Sequence, residues 1–403
     1  MSDKSKFIPY GQHSVDDADI ASVVSVLRSG ALTNGPFVAE FEAALADLTG
    51  AKEAVACSSG TTALHLAVAA LGLGRGDRVI VPSLTFLASA NAARYVGADV
   101  VFSDVDPLSG LMGPQHFEDA LKSAPPGSIK AVIPVHLNGQ CCDMASIGKA
   151  AREHGIAVVE DACHALGGHY SDSPTSLAVG SCEHSDLSCF SFHPVKTVAM
   201  GEGGAITTNN SALAANMKRL RNHGMERAPT SPAMPDLALT PDGELNPWYY
   251  EMADLGWNFR ASDIHCALGL SQLKKLKVSV DRRAALAARY DDALKNLSPA
   301  IRPVSRVGGR VAWHLYVVHI DFDAIGSNRA AVMNALASVG IGTQVHYIPV
   351  HLQPYYQKLY GAHHLPGAEK YYSSCLSLPL FPSMADLDVD RVVAELKRIV
   401  EDT

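Results

Sequence analysis

Seven short apolar runs recur between residues 53 and 208: EAVAC (53–57), RVIVP (78–82), DVVFS (99–103), AVIPV (131–135), IAVVE (156–160), LSCFSF (187–192) and GAITT (204–208). Between them lie stretches of helical character at 60–71, 85–95, 114–122 and 143–154. Continuous apolar runs alternating with helices are the signature of strands covered on both faces. The pattern therefore predicts an α/β layer with a largely parallel sheet.

The rest of the chain reads differently. After a helix at 211–221, the proline-rich stretch 228–247 lacks periodicity and is expected to be a long surface loop. Ser262 is placed to cap a long helical pattern that runs through LGLSQLKKL and RRAALAARYDDALKNL. A strand around 313–320, a helix around 328–339, a strand near 343–347 and a terminal helix from about 385 complete a smaller α/β unit. The expected division is 1–260, a large domain with an N-terminal arm, and 261–403, a connecting helix with a small C-terminal domain. With 403 residues, 47% apolar and 18% charged, there is material for a large core and more than one domain.

Charge and cysteines narrow the function. A net charge of −8 and the absence of a basic run argue against a nucleic-acid partner. MSDKSKFIPYGQ lacks the apolar core of a signal peptide and no later run is long enough to span a bilayer, so a cytoplasmic, membrane-free protein is expected. The eight cysteines show neither a CxxC pair nor a zinc-type spacing, and read as reduced thiols packed as small apolar groups. No metal site is expected: there is no HExxH helix, and Asp104-Val-Asp106 departs from a calcium loop at Leu108, Gly110 and Gln115, leaving a turn. Gly72, Gly74 and Gly76 follow a helix and lack the dinucleotide spacing, and there is no GxSxG elbow.

Three features carry chemistry. The run IAVVE ends in Glu160-Asp161-Ala162-Cys163-His164, and in open α/β sheets ligands bind beyond the carboxyl ends of strands. Alone, Asp161 reads better as the cap of a turn. Lys196 follows the run LSCFSF in a loop with Gly201, Gly203 and Gly204; it is either a solvated surface lysine or an amine desolvated enough to attack a carbonyl. Ser58-Ser59-Gly60-Thr61-Thr62 opens a helix whose free N–H groups favour a phosphate, although a serine-rich cap is commonplace. Together they meet the needs of pyridoxal 5'-phosphate: an amine for a Schiff base, an acid for the pyridine nitrogen and an anchor for the phosphate.

The blocks SGALTNGPFVAEFEAAL, SSGTTALHLA, EDACHALG, FSFHPVKT, GEGGAITTN and WNFRASDIHCALGLSQLKKL resemble, in order and over nearly the whole chain, the pyridoxal-phosphate-dependent sugar aminotransferases of the DegT/DnrJ/EryC1/StrS type. The resemblance implies the aspartate aminotransferase fold (fold type I). That is an α/β architecture with a mostly parallel seven-stranded sheet in the large domain and a smaller C-terminal α/β domain. It also implies amino transfer, with L-glutamate as the expected donor, to the C4 ketone of a nucleotide-activated deoxy sugar. SFHPVKT, WHLYVV, GIGTQVHYIPVHLQPYY and CLSLPLFP look most like the subgroup acting on UDP-2-acetamido-2,6-dideoxy-β-L-arabino-hex-4-ulose in pseudaminic acid biosynthesis. The alternatives are a GDP- or dTDP-linked 4-keto-6-deoxy sugar, or a non-enzymatic cofactor-binding regulator.

By the same resemblance Lys196 would carry the cofactor and move the proton, Asp161 would pair with the pyridinium nitrogen, and His164 would hydrogen-bond the phenolic oxygen. Phe86 would stack on the pyridine face, its alternative being a core phenylalanine. Gly60, Thr61 and Ser191 would contact the phosphate, and Asn258 would reach the phosphate of a neighbouring subunit, implying a homodimer with shared sites. Sugar contacts would come from Tyr10, from Gly30, Ala31, Leu32 and Thr33, and from Gln344, Val345, His346 and Tyr347. Arg260 is either a carboxylate anchor for the donor or half of a structural salt bridge. The stretches 171–186 and 228–247 depart from many relatives and are expected to bear on substrate selection.

Overall fold

The seven apolar runs form one sheet in a computed structural model that describes residues 7–171, 176–227, 229–295 and 297–401. Its strands are β1 (Glu53–Cys57), β2 (Arg78–Pro82), β3 (Asp99–Ser103), β4 (Ile129–Val132), β5 (Ala157–Asp161), β6 (Leu187–Ser191) and β7 (Gly204–Thr208). They lie in the order β1-β7-β6-β5-β4-β2-β3, and β7 alone runs antiparallel to its neighbours. β4 leaves the sheet earlier than the run AVIPV implies. Pro134 has no N–H to offer a ladder, and only a single bridge, Val135 to Asp161, follows it.

Helices cover the sheet. Gly60–Ala70, rich in alanine and leucine, is opened by a capping box between Ser59 and Thr62. Met144–Glu153 is opened by Asp143, which accepts the N–H of Ser146 at 3.1 Å. Two helices not foreseen from the sequence precede the sheet. Asp17–Leu27 starts at an Asp16/Asp19 capping box, and Pro36–Thr49 places proline at its first position and ends at Gly50 with φ +76°.

Beyond β7 the stretch expected as a long loop is more ordered than its composition suggests. Its residue 228 lies outside the described residues. β8 (Met225–Arg227) and β9 (Tyr250–Met252) pair antiparallel, and between them sit a one-turn helix, Pro235–Ala238, and a Leu239–Leu245 bridge. The long helical pattern breaks at Lys274–Lys275 into Asp263–Leu273 and Leu276–Leu294. A second, antiparallel sheet is built from β10 (Ile301–Pro303), β11 (Tyr316–Ile320) and β12 (Cys375–Leu378). Leu286, Tyr290, Tyr316, Val318, Leu376 and Val392 pack its core between the helices Leu276–Leu294 and Asp386–Glu401. Each such buried side chain contributes about 1.5–3 kcal/mol.

The strand expected near 343–347 does not form. Gln344 makes one bridge to Ser377, with N–H···O distances of 3.2 and 2.8 Å, and the chain then turns away from the sheet. That departure lets His346 and Tyr347 line a cavity instead of a ladder. No helix among the described residues is long and apolar enough to cross a membrane.

One close approach joins the two sheets. Gly139, in the turn after β4, has φ +98°, and a Cβ there would lie 2.0 Å from the carbonyl oxygen of Ala312. Gly139→Ala is expected to cost about 3 kcal/mol, from strain and displaced backbone together. The check is a lowered urea midpoint at constant m-value; an unchanged midpoint refutes the packing argument.

Candidate active site

Parallel pairing places the site. β5 and β6 run side by side with Asp161 opposite Cys189, so the chain emerges from both strands at the same edge of the sheet. β1 delivers the Ser58–Thr62 turn to that edge through its pairing with β7. A cavity of about 460 Å³ opens there.

Twelve of the residues singled out in the sequence share its wall: Tyr10, Gly60, Thr61, Phe86, Asp161, His164, Ser191, Lys196, Gln344, Val345, His346 and Tyr347. Five do not. Gly30, Ala31, Leu32 and Thr33 run along the start of the helix Asp263–Leu273, where the carbonyl of Leu32 accepts the N–H of Asp263 at 3.1 Å. Asn258 is exposed, bridges Asn222 and does not line this cavity. Arg260 donates to the side-chain oxygen of Asn222 rather than to a carboxylate. Among the described residues, neither 171–186 nor 228–247 supplies a lining residue, and 172–175 lie outside the described residues.

Asp161 is only 5% exposed, yet each of its carboxylate oxygens has a hydrogen-bond donor and keeps room for another. Ser89 Oγ donates to Oδ2 at 2.6 Å and the N–H of Cys163 donates to Oδ1 at 3.2 Å. Thr85 Oγ1 lies 2.7 Å from Ser89 Oγ and completes the chain of hydroxyls. Neither Thr85 nor Ser89 was marked in the sequence. Small hydroxyl residues near a helix start are too common to signal a site.

His164 has a defined tautomer. Its Nδ1 accepts the N–H of Asn138 at 3.3 Å, which leaves the hydrogen on Nε2, 3.2 Å from the hydroxyl of Tyr347. Burial, the Lys196 charge and His346 hold its pKa well below the ordinary histidine value, so the ring is a neutral donor near pH 7.

Lys196 Nζ lies 3.4 Å from His314 Nε2. Burial lowers its pKa below the ordinary lysine value, and Arg283 acts in the same direction against the opposing charge of Asp161. The Cys163 thiol, also on the wall, is pushed well up by burial and by Asp161, so it is no competing nucleophile.

The residues present fit pyridoxal phosphate. The first-turn N–H groups of Gly60 and Thr61 have no acceptor within their own helix. A Cβ at Gly60 would lie 2.7 Å from Ser191 Cβ, so glycine keeps this cradle open. Phe86 is 54% exposed at the start of a helix, with its ring 5.8 Å from that of Tyr347; it is a cavity wall rather than a core residue.

Comparison with known proteins agrees. Residues 13–397 match the model of the DegT/DnrJ/EryC1/StrS aminotransferase family. The spore coat polysaccharide biosynthesis protein SpsC of Bacillus subtilis is 40% identical over 401 residues, 99% of this chain and 98% of that protein. Helicobacter pylori PseC, an aminotransferase involved in the biosynthesis of pseudoaminic acid, superposes with a TM-score of 0.87 at 28% identity, covering 99% of this chain and all of that one. The PLP-form of a putative sugar aminotransferase from Streptococcus pneumoniae superposes with a TM-score of 0.84 at 27% identity, over 98% and 99% of the two chains.

Gly60→Ala is expected to weaken cofactor retention by roughly tenfold or more while leaving the fold intact, since Ser191 Cβ stands where the methyl would go. Equilibrium dialysis beside a far-ultraviolet spectrum checks it. Undiminished retention would show that the cradle is not the phosphate site.

Proposed function

The chain belongs to the DegT/DnrJ/EryC1/StrS aminotransferase family and is a pyridoxal-phosphate-dependent sugar aminotransferase. From that premise we propose that it moves an amino group from L-glutamate to the C4 ketone of UDP-2-acetamido-2,6-dideoxy-β-L-arabino-hex-4-ulose. The product is UDP-4-amino-4,6-dideoxy-N-acetyl-β-L-altrosamine, of the pseudaminic acid pathway. The observation that carries the amino-transfer reading is the desolvated amine of Lys196 in one cavity with the anchored carboxylate of Asp161. The likeness to PseC over the full chain, with Tyr10 and Gln344–Tyr347 on the same wall, supports the sugar.

The bound cofactor supplies a carbonyl that condenses with amines and a protonated ring that withdraws electrons from the neighbouring bond. Each remaining role falls to a side chain. Asp161, immobilised by Ser89 and Cys163, would hold the proton on the pyridine nitrogen. Gly60 and Thr61 N–H groups and the Ser191 hydroxyl would bind the phosphate. His164 would donate from Nε2 to the phenolic oxygen, the tautomer that Asn138 selects. Phe86 would cover one face of the ring. Lys196 would take a proton from the donor carbon at Nζ and deliver one to the sugar carbon, always from one wall of the cavity.

Donor and acceptor react in turn, so a ping-pong sequence follows. The position of Asn258 outside this cavity fits a contribution in trans to a second copy. Trp248 (74% exposed) and Leu255 (80% exposed) leave apolar surface for that copy to cover. Eight cysteines without a disulfide fit a reducing, cytoplasmic setting.

In a spectral titration, glutamate should bleach the visible band of the holoenzyme and the UDP-linked keto sugar should restore it; Lys196→Ala should lack the borohydride-reducible linkage. Restoration by a GDP- or dTDP-linked keto sugar alone would move the acceptor, and no response to any donor would favour the cofactor-binding regulator. For the shared site, mixing inactive Lys196→Ala and Asn258→Ala chains should restore about a quarter to a half of native activity through hybrid dimers. Absence of complementation would place Asn258 outside the site.

A further inference from the structure

The hydrogen-bond partner that the structure gives Lys196 Nζ is an imidazole: Nε2 of His314, 3.4 Å away. His314 stands just ahead of β11, on the side of the small sheet, yet it lines the cavity at the edge of the large one. It is 4% exposed and held at both ends of its peptide. Its N–H donates to the carbonyl of Asn138 at 3.0 Å, and its carbonyl accepts Nη1 of the fully buried Arg283 at 3.2 Å. Its ring lies 4.3 Å from that of His164.

The other ring nitrogen, Nδ1, is buried without a partner among the described residues, so the polar contact of this imidazole is made at Nε2. Leaving a buried polar atom unpaired costs about 1–3 kcal/mol, more than a position filled only for packing needs to bear. The charged and titratable groups facing the pair are Asp161, Cys163 and His164 from the large sheet, Arg283 from the helix Leu276–Leu294, and His346 from the loop after Gly342. Burial, reinforced by Lys196, His164, Arg283 and His346, holds His314 well below the ordinary histidine value and therefore neutral near pH 7.

We propose that His314 is a positioning residue for Lys196: its Nε2 accepts a hydrogen bond from Nζ whenever that amine is free, and holds the ammonium at the cavity wall between taking up a proton and returning it. The proton taken from the substrate carbon stays on Nζ and leaves from Nζ. His314 accepts the hydrogen bond and never the proton. This rests on the assignment of Lys196 above.

The test reads Lys196 in the cofactor-free protein, by competitive acetylation across pH with the Lys196 peptide quantified by mass spectrometry. His314→Leu keeps water out while removing the acceptor, so the ammonium loses a charge-assisted hydrogen bond and the labelling midpoint of Lys196 should fall by about one pH unit. His314→Gln retains an acceptor and should stay near the native midpoint. In the glutamate half-reaction the leucine variant should slow by roughly tenfold with little change in the donor's KM, and glutamine should recover most of the rate. If His314→Leu does not fold, His314→Met makes the same comparison.

A Lys196 midpoint common to the native, apolar and glutamine proteins overturns the proposal. So does an equal shift in the apolar and glutamine variants, which is what lost packing alone produces. Borohydride trapping in the same preparations tests the underlying assignment separately. If the native cofactor is not trapped on Lys196, that assignment fails whatever His314 does; if it is trapped and His314→Leu is silent, only the positioning role fails.

Discussion

The parallel contact between β5 and β6 is the interaction on which the site depends. Two strands of the same direction release their chains at the same edge, so an acid that ends β5 and a lysine in the loop after β6 meet although 35 positions separate them. Reversing either strand would send one group to the opposite edge. The pairing also explains why the strand interiors are mostly apolar: helices cover both faces, and the ligand-facing groups lie at the termini.

The edge is not simply polar. Its carboxylate is oriented by Ser89 and Cys163, its lysine is desolvated, and His164 and His314 are neutral. Strand β5 carries a second acid, Glu160, that points away from this cavity and is fully buried. Burial pushes its pKa up, but hydrogen bonds from His136 Nε2 at 2.7 Å, from Ser185 and from Tyr170 outweigh that and hold it below the usual carboxylate range. His136 also donates its own N–H to the carbonyl of Asp161 at 3.1 Å. Two consecutive acids thus anchor β5 from both faces, one toward ligand and one toward the protein interior.

Much of this was legible in the sequence because strand interiors are written in apolar residues and the lysine, acid and small-residue turn follow three of them. The large sheet could be read almost to the residue. What escaped has local causes. The helices Asp17–Leu27 and Pro36–Thr49 are signalled mainly by caps rather than by a strong apolar stripe. Gln344–Tyr347 alternates like a strand but keeps only one bridge, because the chain turns toward the cavity where its side chains face ligand space. His314, inside WHLYVV, reads as a histidine in an apolar strand; nothing local says that Lys196 lies beside it. Asn258 and the 30–33 segment stand outside the cavity of their own chain, where one sequence cannot separate a role in trans from an ordinary surface position.

The division of labour between the two sheets follows from these placements. Groups that would serve the cofactor, Gly60, Asp161, Ser191 and Lys196, all come from the edge of the large sheet, whereas Gln344–Tyr347 and His314 come from segments tied to the small one. The two sets are held in register by a shared apolar core, in which Ile80, Val132 and Val158 pack with Val317, Tyr371 and Cys375, and by close polar contacts. Gly139 permits backbone to touch backbone at Ala312, Asn138 bonds both His164 and His314, and Arg283 ties the carbonyls of His314 and Leu380 to one helix. A change at 138–139 therefore reaches both sets at once, and a change at Tyr347 reaches His164 through the 3.2 Å contact between them.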